Sequence, residues 1–214
     1  MDVSLPGALT RAALRAALAA LVLGGLVGGL GDTALKALVP ALRAAVTWAE
    51  PAFAVQHLDL STGPAGSRVR TQVMLAHSVV VGGRVVMPHP LGQAFAWVPA
   101  AVAWQLPLLC AVVVAAWPAR RWPEWPLRAL GLLLCMPLLM MVDLPVAIVA
   151  EFWRPLMAAH DPQGWQAHVV WAAFMHGGGR VWLALLAGSV VVGLCACMAS
   201  RIAGFGAVVR NKAR

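Results

Sequence analysis

Residues 127–150, LRALGLLLCMPLLMMVDLPVAIVA, carry only two charges, Arg128 at the start and Asp143 well inside. At 1.5 Å per residue, a helix over this stretch is about 36 Å long, enough to cross about 30 Å of hydrocarbon. The composition around it agrees. The 214-residue chain is 61% hydrophobic and 11% charged, whereas soluble domains are about 45–50% apolar and about 25% charged. It has too little polar surface to coat a water-soluble globule, so the expected fold class is a membrane α-helical protein.

Three further apolar runs read as spans, at about 13–31, 95–117 and 181–200, which gives four transmembrane helices. A cleaved signal peptide competes for the first, because Arg11 and Arg15 precede it; its length and the lack of an A-x-A site directly before Asp32 favour an anchor. Residues 1–31 are then a cytoplasmic tail and first span, 32–94 an extracytoplasmic segment, and 95–214 a three-helix membrane region with an outer loop at 151–180 and a basic tail.

Lys and Arg gather in cytoplasmic loops, and this sets the orientation. With the N-terminus inside, the inner segments hold Arg11, Arg15, Arg120, Arg121, Arg128, Arg201, Arg210, Lys212 and Arg214 against only Asp2 and Glu124. In the outer segments, Lys36, Arg43, Arg68, Arg70, Arg84, Arg154 and Arg180 are nearly balanced by acids. Both termini are expected in the cytoplasm of an inner-membrane protein. The net charge of +8 then faces anionic headgroups and needs no nucleic acid. Trp117, Trp122 and Trp125 mark one interface, and Trp97, Trp153, Trp165, Trp171 and Trp182 the other.

Between Asp32 and Glu50, the residues Leu35, Leu38, Val39, Leu42 and Val46 recur at helical spacing opposite Asp32, Lys36, Arg43 and Glu50. An amphipathic helix follows, kinked or interrupted at Pro40, lying on the outer leaflet or packed on the next segment. Alternation at 54–60 and 69–75, with a valine-rich run at 78–87 divided by Gly82-Gly83, predicts three or four short strands. Such a β-patch cannot enclose its own core and must lean on helices, membrane or partner. In the outer loop, 165–175 reads as helix, and Gly177-Gly178-Gly179 ends or bends it before the last span.

All six histidines fall on the outer side of this map and all four cysteines on the inner. With Met74, Met87, Met157 and Met175 also outside, a soft-metal site is conceivable, but no H-x-H, H-x-x-x-H or M-x-x-M occurs. No cofactor is expected. Cys110, Cys135, Cys195 and Cys197 read as buried and unpaired; residues two apart point to nearly opposite helix faces, so Cys195 and Cys197 cannot bridge. Half a membrane between thiols and imidazoles excludes Cys–His catalysis. His176-Gly177-Gly178-Gly179 looks like an esterase oxyanion loop, but no G-x-S-x-G elbow accompanies it. Asp143 is the one acid inside a span, about 22 Å along the axis from Arg128 and so toward the outer face, where Arg180 or water satisfies it. Two roles stay open: a structural ion pair, or a proton or substrate site combining Asp143, Arg180, His168 and His176. Pro137 and Pro145 predict a kink around it.

The layout resembles the small membrane proteins that accompany exosortases in Gram-negative bacteria, particularly the exosortase H-associated type. The resemblance lies in the order of elements: an anchor, an outer helix and β-patch, His89-Pro90-Leu91 and Gln105-Leu106-Pro107-Leu108 leading into span two, a basic hinge at Arg120-Arg121, Met136-Pro137 in a Leu-rich third span, and a final apolar helix. Exosortases resemble polytopic cysteine transpeptidases with Cys, Arg and His at the outer face. This chain lacks a C-[ST]-G-like motif and carries its thiols on the other side, so the resemblance implies an accessory and carries over no catalytic residue. The expected role is docking another membrane or periplasmic protein in an envelope protein-sorting or export system. The contrasting expectation is a subunit handling a metal ion, protons or a small substrate at the periplasmic face.

Overall fold

The computed structural model describes residues 5–64, 66–89, 92–119 and 122–212. The expected hinge at Arg120-Arg121 and the Pro90-Leu91 dipeptide lie outside them. In chain order the elements are α1 (Leu5–Ala49), β1 (Phe53–Gly63), β2 (Gly66–Leu75), β3 (Val79–Val81), β4 (Arg84–Val86), β5 (Gln93–Pro99), α2 (Ala100–Ala116), α3 (Glu124–His160), α4 (Ala167–Phe174) and α5 (Arg180–Lys212). The chain divides into two compact units. Met1–Gly25, Leu106–Leu138 and Val181–Arg214 form a helical unit; Leu26–Gln105 and Leu139–Arg180 form a unit that contains the strands, here the sheet unit.

In the helical unit, glycines bring α5 close to its neighbours. A Cβ on Gly188 would stand 2.7 Å from Val113 Cγ1 of α2, and one on Gly131 of α3 would stand 3.1 Å from Val191 Cγ1. Small residues serve helix association in lipid this way, because backbones attract only when they approach closely. The outward faces are apolar. Trp182, Leu186, Val190, Leu194, Met198 and Ile202 are all exposed at four-residue spacing on α5, as are Leu130, Leu133, Leu134 and Leu138 on α3. Exposed leucines also run along α1, from Leu9 to Leu30. Water would penalise such stripes; hydrocarbon solvates them. Three helices, Leu9–Ala49, Glu124–His160 and Ala167–Ile202, are long and apolar enough to cross a membrane. The chain is a membrane protein, mostly helical, with a small sheet.

Arg128 fastens the end of α2. Its Nη1 donates to the carbonyl oxygens of Trp117 (2.6 Å) and Val114 (3.3 Å), and its Nη2 to Pro118 O (3.2 Å) and Glu124 Oε2 (3.0 Å). The last carbonyls of a helix lack partners within the helix, and a guanidinium fork suits them. Glu124 sits in the first turn of α3, where the helix dipole favours an acid.

The sheet unit holds the main core. Antiparallel strands run in the order β1-β2-β5, and β3-β4 make a separate hairpin. Phe53, Val55 and Leu58 of β1, Val69 and Val73 of β2, and Ala96 and Val98 of β5 are buried in one cluster with Leu35, Leu42 and Val46 of α1 and with Met140, Leu144, Ile148, Phe152 and Trp153 of α3. The apolar stripe of the expected amphipathic helix therefore packs on protein.

Several expectations are corrected here. No boundary separates span one from the amphipathic helix: α1 runs 45 residues, about 67 Å, without a break at Pro40. Proline removes one backbone bond, and the buried stripe on both sides of it keeps the helix continuous. Span two does not begin at Phe95. Residues 95–99 belong to β5, paired in register Thr71↔Ala96 and Val69↔Val98, and the helix that follows is 17 residues, about 25 Å. Helix α3 extends ten residues beyond Ala150, to His160. Trp153 is no interfacial anchor: it is 7% exposed and packs edge-on against Phe53. The valine-rich run is a hairpin whose turn places Gly82 and Gly83 at φ 56 and 76, as a primed turn requires.

Candidate functional site

All six histidines lie in the sheet unit and all four cysteines in the helical unit. Nine basic residues stand against two acidic ones in the helical unit, and seven against six in the sheet unit.

Asp143 and Arg180 meet. Arg180 Nε donates to Asp143 Oδ2 at 2.7 Å and Nη2 to Oδ1 at 3.3 Å, a two-pronged pair with both residues buried. Asp143 is set by α3, and Arg180 by the break that precedes it. After α4, Met175–Gly179 form a wide helical turn in which Gly178 takes φ 113, so the axis changes before Arg180 opens α5. That conformation suits glycine. A Cβ on Gly179 would collide with the Phe174 ring, so the close turn also needs its second glycine. Each charge neutralises the other, the condition on which ionised groups persist in a low-dielectric interior.

The histidines go elsewhere. His176 places Nδ1 2.7 Å from the carbonyl oxygen of Ala172, one turn back on its own helix, and is exposed. His168 Nδ1 stands 3.7 Å from Glu50 Oε2. The same oxygen accepts Trp153 Nε1 at 2.9 Å, while Glu50 Oε1 accepts the Ala52 amide at 3.3 Å. The four residues expected together therefore separate into a buried ion pair, a histidine returned to its own backbone, and a Glu50–His168–Trp153 cluster. Sequence reasoning missed the last because 103 residues separate Glu50 from Trp153. The one signal the sequence offered was an acid, Glu50, closing the polar face of an amphipathic helix.

Among the described residues, no group of three or more His, Cys, Asp or Glu side chains is placed to hold a metal. All four cysteines are free, as the spacing of Cys195 and Cys197 requires; Cys110 and Cys195 are buried as expected, but Cys135 is half-buried and Cys197 is exposed, facing away from the packed core.

The sheet has a second face. Opposite its core residues, β2 presents Arg68, Arg70 and Gln72, and β5 presents Gln93, Phe95 and Trp97. The Arg70 guanidinium lies 5.5 Å from the Phe95 ring and 5.4 Å from the Trp97 ring, both rings being about half exposed. Gln72 bonds Gln93 across the strands at 2.7 Å. His57, Leu58, Asp59, Arg70 and Gln72 line a shallow cleft of about 360 Å³. Asp59 is the register partner of Arg70, yet among the described residues no ion pair engages Arg70 or Arg68. A cation stacked on aromatic rings and left without a carboxylate suits an anionic group from outside. No family model, curated protein or solved structure matches this chain.

Proposed function

We propose that the protein is a non-catalytic docking subunit of the inner membrane, whose sheet unit receives an acidic segment of an extracytoplasmic or membrane partner. In this reading α1, α2, α3 and α5 make four crossings with both termini in the cytoplasm. The basic excess of the helical unit supports that orientation. Membership of an exosortase-type sorting or export system rests on the layout resemblance alone. The observation that carries docking is the sheet face opposite the core, where Arg70 lies over the Phe95 and Trp97 rings and has no ion-pair partner among the described residues. Aromatic residues and arginine are the side chains that dominate binding energy at interfaces.

A photo-crosslinking phenylalanine analogue at Phe95 tests this in intact cells. The expected result is a discrete crosslink to an extracytoplasmic or membrane protein that Arg70→Glu weakens at least about tenfold, equivalent to about 1.4 kcal/mol, at unchanged abundance of the chain. Crosslinking to lipid alone, or a protein crosslink indifferent to Arg70→Glu, would overturn the proposal.

The alternative, a subunit handling protons, a metal or a small substrate, draws on the burial of Asp143 and Arg180. Removing both charges together separates it from docking, as argued below.

A further inference from the structure

A cavity of about 310 Å³ opens in the sheet unit where the β3–β4 turn meets the end of α3 and the segment before α4. Its walls include Trp153, Met157, Asp161, Trp165 and Gly82. Trp153 is held rigidly by its bond to Glu50 and its edge-on packing with Phe53, whereas Trp165 is exposed. Asp161 is half-buried, and among the described residues its carboxylate has neither an ion-pair nor a hydrogen-bond partner. Two glycines shape the space around it. A Cβ on Gly82 would collide with the His160 carbonyl, and one on Gly164 would collide with the Asp161 carboxylate itself. The hairpin turn and the loop after α3 are thus fitted closely around one uncommitted negative charge.

Indole rings, a thioether and a single carboxylate in a small cleft form the chemistry that recognises organic ammonium ions. The ring faces attract a diffuse cation whose alkyl groups also bury against them, and the carboxylate supplies the counter-charge. We propose that this cavity binds an organic ammonium group, a primary or quaternary amine, between Trp153 and Trp165 with Asp161 as counter-ion. The group is carried either by a phospholipid headgroup or by a free amine, and both present the same chemistry to the site.

The full chain, purified in a maltoside detergent that has no ammonium group, is titrated calorimetrically with tetramethylammonium and with ethanolamine. Saturable binding is expected, weakened at least tenfold by Asp161→Asn and by Trp165→Ala and largely retained in Asp161→Glu. Trp165 is exposed, so its truncation tests the site without risk to the fold. Repeating the titration in nanodiscs identifies the source: tetramethylammonium binding lost in ethanolamine lipid but kept in glycerol lipid assigns the site to a headgroup, and binding equal in both assigns it to a free amine. Absence of saturable binding, or binding indifferent to both Asp161→Asn and Trp165→Ala, would overturn the proposal.

Discussion

Arg180→Met is expected to destabilise the protein by about 3–5 kcal/mol, because it strands a carboxylate that is 2% exposed without its counter-charge. Removing either member of a buried pair costs far more than the pair contributes, since the pair itself has already lost its hydration. The double variant Asp143→Leu with Arg180→Met should therefore recover most of the loss, having no charge left to bury. Denaturant unfolding in detergent, followed by tryptophan fluorescence, reads both. A double variant as unstable as Arg180→Met would contradict this, because the loss would then not come from a stranded carboxylate. The same double variant separates the functional readings. If docking is the role, it keeps the Phe95 crosslink at normal abundance; a proton or substrate role requires the charges, and a stable double variant would then be inactive.

The second large effect is expected at Arg128. Arg128→Ala takes the donor from three carbonyl oxygens around the end of α2, all bound by one guanidinium. Bonds from a charged donor contribute about 1.5–3 kcal/mol each when buried, though not additively, so a loss of about 3 kcal/mol or more is expected. Arg128→Lys should recover only part of it, since an ammonium group cannot reproduce a fork that reaches residues 114, 117 and 118 together. Hydrogen exchange at 112–117 is the direct readout: protection should fall in Arg128→Ala while the amides of β2 are unchanged. Wild-type protection of the α2 terminus in that variant would contradict the capping role.

The parts of this structure that were legible in the sequence are those where periodicity and burial agree. The stripe at Leu35, Leu42 and Val46 marked the core face of α1, and the alternation in 54–60 and 69–75 marked β1 and β2. Asp143 and Arg180 could be matched because a lone buried acid in lipid demands a cation at the same depth. Strand β5 was not legible. Its alternation of exposed Phe95 and Trp97 with buried Ala96 and Val98 is written entirely in apolar residues, so it merges with the helix after it. The continuity of α1 was hidden by Pro40, whose local cost is outweighed by tertiary packing that no local signal reports. The Glu50–His168–Trp153 cluster and the Arg128 cap depend on which helices become neighbours, and spacing along the chain does not encode that.

The proposed function depends most on sidedness: the β3–β4 hairpin outside the cell and the C-terminal part of α5 inside it. In a variant whose four cysteines are replaced by serine or alanine, single cysteines introduced as Arg84→Cys and Arg201→Cys, both at exposed positions, are treated with a membrane-impermeant maleimide. Labelling of Arg84→Cys in intact cells, and of Arg201→Cys only after permeabilisation, is the predicted result. The reverse pattern, or equal labelling of both before permeabilisation, would contradict it.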